Sequence, residues 1–250
     1  MSETQYLDRN GIRLAYRHRN GAGPTVVFLS GYMSDMSGTK AEALDVWAAE
    51  RGRAFLRLDY SGCGASGGDF EAGTIGRWRD DALAVIDAVA PGPVALVGSS
   101  MGGWIALLIA RARPSRVSAL VGIAAAPDFV DWGLWSDLDE TQREALMRVG
   151  RIELPSGYVD SPYVYTRALV EDGRANRVLD RSIGYAGPVR LLQGQADPEV
   201  PWRLSLDIAE RLDSSDVQVL LVKDGDHRLS RAADLALLTA TLDRLLEPHA

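Results

Sequence analysis

The chain has 250 residues and a mass of 27.1 kDa, enough for one large domain that buries roughly three quarters of its unfolded surface without disulfides or a structural metal. Its 27 basic and 34 acidic side chains give a net charge of −7, a sign that repels phosphate backbones and excludes nucleic acid as the expected partner. A single cysteine, Cys63, rules out an internal disulfide, and three histidines are too few for a histidine-rich metal site. No cofactor and no metal are therefore expected. No apolar run reaches the ~18 residues of a membrane span. The opening stretch, residues 1–11, lacks the basic-then-apolar pattern of a signal peptide, so the expectation is a soluble cytoplasmic protein.

Along the chain, short β-branched or apolar runs alternate with segments of helical period, the pattern of a parallel α/β sheet. Strands are predicted at 12–17, 25–30, 54–59, 94–98, 117–124, 189–193 and 217–222. After Thr74, the residues Trp78, Ala82, Val85, Ile86 and Val89 fall on one helical face, and Leu235, Leu238, Leu242 and Leu245 do the same in the last helix. Residues 104–110 are apolar on every side, which predicts a helix buried in the middle of the molecule.

The rhythm breaks between residues 127 and 185. No convincing strand occurs there, while Phe129, Trp132, Trp135, Tyr158, Tyr163, Tyr165 and Tyr185 accumulate. Asp139 followed by Gln142 reads as a capping box. A structureless loop of that length is incompatible with a compact domain, so an inserted helical cap is expected between two sheet strands. The expected architecture is a core of residues 1–126 and 186–250, a mostly parallel sheet flanked by helices, with residues 127–185 as the cap. Of the basic residues only Lys40 and Lys223 are lysines, and the scattered arginines read as solvated helix faces rather than an anion site.

The strand at 94–98 runs into Gly98-Ser99-Ser100-Met101-Gly102 and then into the buried helix, a G-x-S-x-G pattern in strand–turn–helix context. The reversal is so sharp that the central residue is strained, and it holds Ser100 Oγ clear of the backbone above a helix N-terminus. The phosphate-loop spacings are absent. A serine needs a base to take its proton. His18 lies on an early strand and His249 is penultimate, whereas His227 follows the last strand and satisfies the order Ser…Asp…His.

Asp197, after the strand at 189–193, is the expected acid that orients this base; Pro198 restricts it to extended conformations. Asp128 is its rival. Asp224 and Asp226 share the histidine's loop and are too close in sequence to reach its far ring nitrogen. Two N–H donors should hold a tetrahedral oxyanion, those of Met101 and of Tyr32 in the loop after the strand at 25–30. A cap at this sheet edge would place Phe129, Trp132 and Trp135 along an apolar acyl pocket, the alternative being that they pack cap onto core. Asp59 is expected to order its own glycine-rich loop, and Cys63 to be packed rather than nucleophilic.

With these residues in place the chain resembles the serine α/β-hydrolases, and within them the family of mitochondrial acyl-protein (palmitoyl-protein) thioesterases that also hydrolyse acyl glucuronides, with its bacterial relatives. The blocks that carry the likeness are Ser34-Asp35-Met36 with Gly38-Thr39-Lys40-Ala41, Asp59-Tyr60-Ser61-Gly62-Cys63-Gly64 with Ser66, residues 98–104, Gly194 with Asp197 and Val200-Pro201, and residues 225–230. Thr166-Arg167-Ala168-Leu169 and Glu171-Asp172-Gly173 add to it from the insertion. The resemblance implies an α/β-hydrolase fold, Ser100, Asp197 and His227 as the triad, and an acyl ester or thioester as substrate, an acylated protein included. Two departures stand out. Ser30 replaces the histidine common before the oxyanion glycine, and the opening residues are not expected to serve as the targeting segment of the mitochondrial members. The fold also leaves open C–C bond hydrolysis, perhydrolysis or a non-catalytic small-molecule receptor.

Overall fold

The computed structural model describes residues 3–156 and 162–247. Tyr158 and His249 lie outside the described residues. One sheet of eight strands carries the fold, in the order β1-β2-β4-β3-β5-β6-β9-β10. From β4 (Arg53–Leu58) through β3 (Ala22–Leu29), β5 (Val94–Ser99), β6 (Val117–Ile123), β9 (Val189–Gly194) and β10 (Val217–Val222) every pairing is parallel. At the other edge β2 (Ile12–Arg19) runs antiparallel to β4, and β1 (Gln5–Arg9) antiparallel to β2. All seven strands read from the sequence are present. β1 is an addition, turned back by Asn10 and Gly11 at φ 53° and 80°, the residue pair that a tight hairpin turn favours because both positions need a left-handed backbone.

The parallel strands are buried on both faces, so their side chains alternate between two cores rather than between core and water. Val26 and Phe28 cluster with Leu44 and Trp47 of α1 (Thr39–Glu50) and Leu238 and Leu242 of α7 (Ala232–Leu245). Val27 and Leu29 cluster with α2 (Ile75–Val89), α3 (Met101–Ala112) and α6 (Leu204–Arg211). Every residue of α3 from Met101 to Ala110 is buried, which is why its sequence has no polar face. The central strand β5 delivers the chain into α3 at Ser100.

Between β6 and β9 lies the inserted segment. It holds a wide helical turn (Val130–Trp135), α4 (Glu140–Val149), β7 (Arg151–Leu154), β8 (Tyr163–Thr166) and α5 (Arg167–Ala175). The helices include the expected capping box: the Gln142 N–H donates to Asp139 Oδ1 at 2.8 Å, and the Asp139 N–H to Gln142 Oε1 at 2.9 Å. The antiparallel pair β7–β8 was not anticipated. Its aromatic and β-branched residues Tyr163-Val164-Tyr165-Thr166 suit a pleated surface better than a helix, but four residues per strand give too short an alternation to read.

Helix α5 fastens the insertion to the body. Thr166 Oγ1 caps it by accepting the Leu169 N–H at 3.1 Å. Asp172 reaches out to accept the Gly76 N–H at 2.7 Å, placing a carboxylate at the positive end of α2. Trp104 Nε1 donates to the Asn176 carbonyl at 3.1 Å. Among the described residues no helix is long and apolar enough to cross a membrane.

Candidate active site

Ser100 sits between β5 and α3 at φ 54° and ψ −120°, a backbone an L-residue holds only when its surroundings impose it. The imposed geometry needs small neighbours. A Cβ on Gly98 would lie 2.3 Å from the Gly102 carbonyl oxygen, and one on Gly102 would lie 2.1 Å from that of Leu29. The G-x-S-x-G spacing is thus a packing requirement of the turn. Gly31 approaches from the end of β3, close enough that a Cβ there would lie 3.3 Å from Ser100 Cβ and 3.9 Å from Oγ. That approach brings the Gly31-Tyr32 loop beside Ser100, while Met101 opens α3 directly after it.

Asp197 and His227 are brought together by the ends of β9 and β10. These two loops pack so tightly that a Cβ on Gly194 would lie 2.2 Å from the Gly225 carbonyl. His227 Nδ1 lies 2.9 Å from Asp197 Oδ2. The same carboxylate accepts the Glu199 and Val200 N–H groups at 2.8 and 2.9 Å on Oδ1, and Gln193 Nε2 at 3.1 Å on Oδ2. Burial pushes the Asp197 carboxyl upward, but the hydrogen bond and charge of His227 with the two backbone donors outweigh it and hold the pKa below the usual carboxylate range. An ionised carboxylate at Nδ1 fixes the imidazole orientation and favours the imidazolium when it forms.

Ser100 and His227 line one cavity of ≈ 580 Å³, together with Gly31, Tyr32 and Met101. Phe129 and Trp132 lie on its wall, and Trp132 Nε1 is held by the Pro127 carbonyl at 2.8 Å. Trp135 does not belong to that wall. It packs with the small core of the insertion, and its ring is covered by the guanidinium groups of Arg174 and Arg143 at 4.5 and 5.6 Å. Over a wide turn, three residues carry the chain well short of a full revolution, so the two indoles diverge. The expectation that Trp135 lines an acyl pocket is corrected accordingly.

The rival acid, Asp128, does something else. Buried at φ 57°, it accepts the Val178 N–H at 3.0 Å and the Leu179 N–H at 3.0 Å, pinning the return of the insertion. Asp59 orders its own loop by accepting the Met36 and Ala65 N–H groups at 2.7 and 2.8 Å. Burial pushes the Cys63 thiol up to about 12, which leaves it without thiolate character. His18 lies on β2, paired opposite Leu56 of β4, far from this edge in the sheet order.

Tyr163, Tyr165, Glu199 and Lys40 also stand at the cavity, where the sequence reading gave them no role. Tyr163 and Tyr165, spaced by two on β8, line it from the insertion. Glu199 places Oε2 3.4 Å from His227 Nε2; burial raises its pKa and the nearby Asp197 adds to the rise. Lys40 reaches from α1 to the Arg228 carbonyl and, at 3.4 Å, to Ser230 Oγ, bracing the loop that carries His227. Burial, and then the charge of Arg228, push its ammonium down to about 8.

A serine held strained at the end of the central parallel strand, within a cavity shared with a carboxylate-anchored histidine from the last two strand ends, defines a class of hydrolases. Residues 26–249 match the model of the alpha/beta hydrolase family, and the chain belongs to that family; it is a hydrolase enzyme. Its sequence is similar to the mouse mitochondrial palmitoyl-protein thioesterase ABHD10, 42% identical over 248 residues, covering 97% of this chain and 82% of the mouse protein. The human protein of that name is 40% identical over 244 residues, covering 97% and 79%. Among solved structures, a hydrolase from Agrobacterium vitis S4 superposes with a TM-score of 0.93 at 43% identity and 99% coverage of both chains. Mouse alpha/beta hydrolase domain-containing protein 10 superposes at 0.90 with 40% identity, covering 98% of this chain and 99% of the mouse chain.

The likeness carried by the sequence blocks is borne out by these matches. The cytoplasmic expectation is not. The ABHD10 relatives are mitochondrial by name, so the cytoplasmic assignment is withdrawn.

Proposed function

We propose that this chain is a cofactor-free serine hydrolase that cleaves acyl esters or thioesters through an acyl-Ser100 intermediate. Its core would be residues 1–126 and 186–250 and its cap residues 127–185. The observation that carries the reading is the Asp197–His227 pair at 2.9 Å, opening on the same cavity as a serine strained to φ 54°. In this reading Ser100 Oγ attacks the acyl carbonyl while His227 Nε2 takes its proton. Asp197 holds Nδ1 and stabilises the imidazolium. The backbone N–H groups of Met101 and Tyr32 meet the oxyanion. Collapse of the tetrahedral species expels the alcohol or thiol, which takes the proton from His227. Water then attacks the acyl-serine by the same route in reverse and frees the carboxylic acid.

Phe129 and Trp132, joined by Tyr163 and Tyr165, give the acyl chain an apolar wall. Support for a thioester of a long acyl chain, with an acylated protein as substrate and its thiol as leaving group, comes from the palmitoyl-protein thioesterases that the chain resembles. The test is a panel of matched p-nitrophenyl esters and acyl thioesters from C2 to C16, assayed with wild type and Ser100→Ala. Turnover of the longer acyl thioesters that vanishes in Ser100→Ala is expected. No turnover of any ester or thioester would refute the reading.

A further inference from the structure

Tyr32 faces in two directions. Its backbone follows Gly31 in the loop beside Ser100, while its side chain enters the inserted segment. The phenol donates to the Val164 carbonyl of β8. The ring lies parallel to that of Tyr165, with centroids 5.2 Å apart and planes within 1°. It meets Tyr163 edge-on at 6.2 Å and Phe129 at 5.7 Å. On the body side it meets Phe70 at 5.3 Å and Trp78 at 5.9 Å, both edge-on. Burial, and then Tyr165, raise the phenol's pKa well above its ordinary value, so it remains a donor throughout the working range.

These partners are not incidental to substrate binding. Tyr163, Tyr165 and Phe129 line the cavity that holds Ser100 and His227. A chain seated against them presses on the same rings that grip Tyr32. Met33, directly after Tyr32, sits at φ 51°, a conformation that persists only while its surroundings hold it. A loop held in that way is fixed by its side-chain anchors more than by its own backbone preference.

We propose that Tyr32 is a positioning residue that ties the oxyanion donor to the β7–β8 hairpin, so that a seated acyl chain sets the donor geometry and speeds the chemical step. The inference rests on the Ser100 reading above. It separates two uses of binding energy. Contacts made equally in ground and transition states lower KM, whereas contacts that align a donor for the developing oxyanion raise kcat. Tyr32 makes the acyl wall act partly in the second way, so kcat itself rises with acyl length.

The experiment compares wild type, Tyr32→Phe and Tyr165→Leu. The first variant removes the hydroxyl and keeps the ring; the second removes the stacked ring from the β8 side. For each, kcat and KM are measured on the acetyl and octanoyl p-nitrophenyl esters, with active sites counted by fluorophosphonate titration so that unfolded protein does not contribute. The expected result is a fall of about fivefold in the ratio of octanoyl to acetyl kcat, the scale of one neutral hydrogen bond, with a smaller change in the ratio of KM values. Tyr32→Phe decides, and Tyr165→Leu decides in its place if Tyr32→Phe yields no titratable enzyme. A ratio that stays at the wild-type value, whether kcat is unchanged or falls equally on both esters, overturns the proposal. Failure of the Ser100 reading would be seen separately, as wild-type protein that the fluorophosphonate does not titrate at Ser100.

Discussion

Asp128 and Asp197 follow neighbouring strands, and from sequence either could orient His227; the structure assigns them opposite consequences on mutation. Asp128→Ala removes the acceptor of two backbone N–H groups, Val178 and Leu179, the first fully buried and the second partly. An orphaned buried donor costs about 1–3 kcal/mol, and a non-glycine residue without a helpful side chain at φ 57° adds about 1 kcal/mol. With two donors orphaned the sum is about 3–7 kcal/mol, against a total stability of about 5–15 kcal/mol. For a chain of this size that is a fall in Tm on the order of 10 °C. The folded fraction should keep its kcat, because no atom of Asp128 is bonded to His227. Asp197→Asn reverses the pattern. Its side-chain oxygen still accepts the Glu199 and Val200 donors, so Tm changes less, while the wrong partner at Nδ1 costs on the order of 10⁴-fold in kcat. The assay is differential scanning fluorimetry beside p-nitrophenyl butyrate hydrolysis per mole of folded protein. Asp128→Ala folded but 10³-fold slower, with Asp197→Asn within tenfold of wild type, would refute the assignment of the acid.

Trp132→Ala should shift the acyl-length profile across C2 to C10 esters, since each buried methylene is worth up to about 0.8 kcal/mol, roughly fourfold in kcat/KM. Trp135→Ala should leave that profile in place and instead lower stability by about 1–2 kcal/mol through the lost guanidinium contacts. Because burial pushes Lys40 down to about 8, its charge costs stability at pH 7, and the cost fades between about pH 8 and its unfolded pKa near about 10.4. Wild type should therefore gain Tm relative to Lys40→Met on going from pH 7 to pH 9.5, and a constant difference would count against it. Asp197, held below its ordinary range, contributes stability above about pH 3.9 that is lost as pH falls through its lower folded value. The Tm gap between wild type and Asp197→Asn should close in strong acid.

The parallel strands were legible because each is a β-branched run bounded by turn residues, and burial on both faces leaves such runs uninterrupted. β1 was missed although its Asn10-Gly11 turn was in view: four of its five residues are exposed or charged, so no apolar alternation marks it. The β7–β8 pair was missed for length. Ser100, Asp197 and His227 could be chosen because order along the chain and position after a strand are sequence properties. What sequence hides is contact at a distance. Tyr32 bonds a carbonyl 132 residues away, and Lys40 braces a loop 188 residues away. Glu199 stands two residues from Asp197, yet its approach to Nε2 depends on where the β10 loop brings His227. Trp132 and Trp135 look equivalent as letters, and only the local helical geometry separates them.

The central claim is that Ser100 is the nucleophile, and covalent labelling tests it most directly. Wild type, His227→Ala and Ser100→Ala are treated with a fluorophosphonate, digested, and mapped by mass spectrometry. A single phosphonyl adduct on the peptide containing Ser100 is expected, formed rapidly in wild type, slowly in His227→Ala and not at all in Ser100→Ala, with hydrolysis lost in step. An adduct on another residue, or Ser100→Ala that keeps more than a few per cent of wild-type turnover, would contradict it.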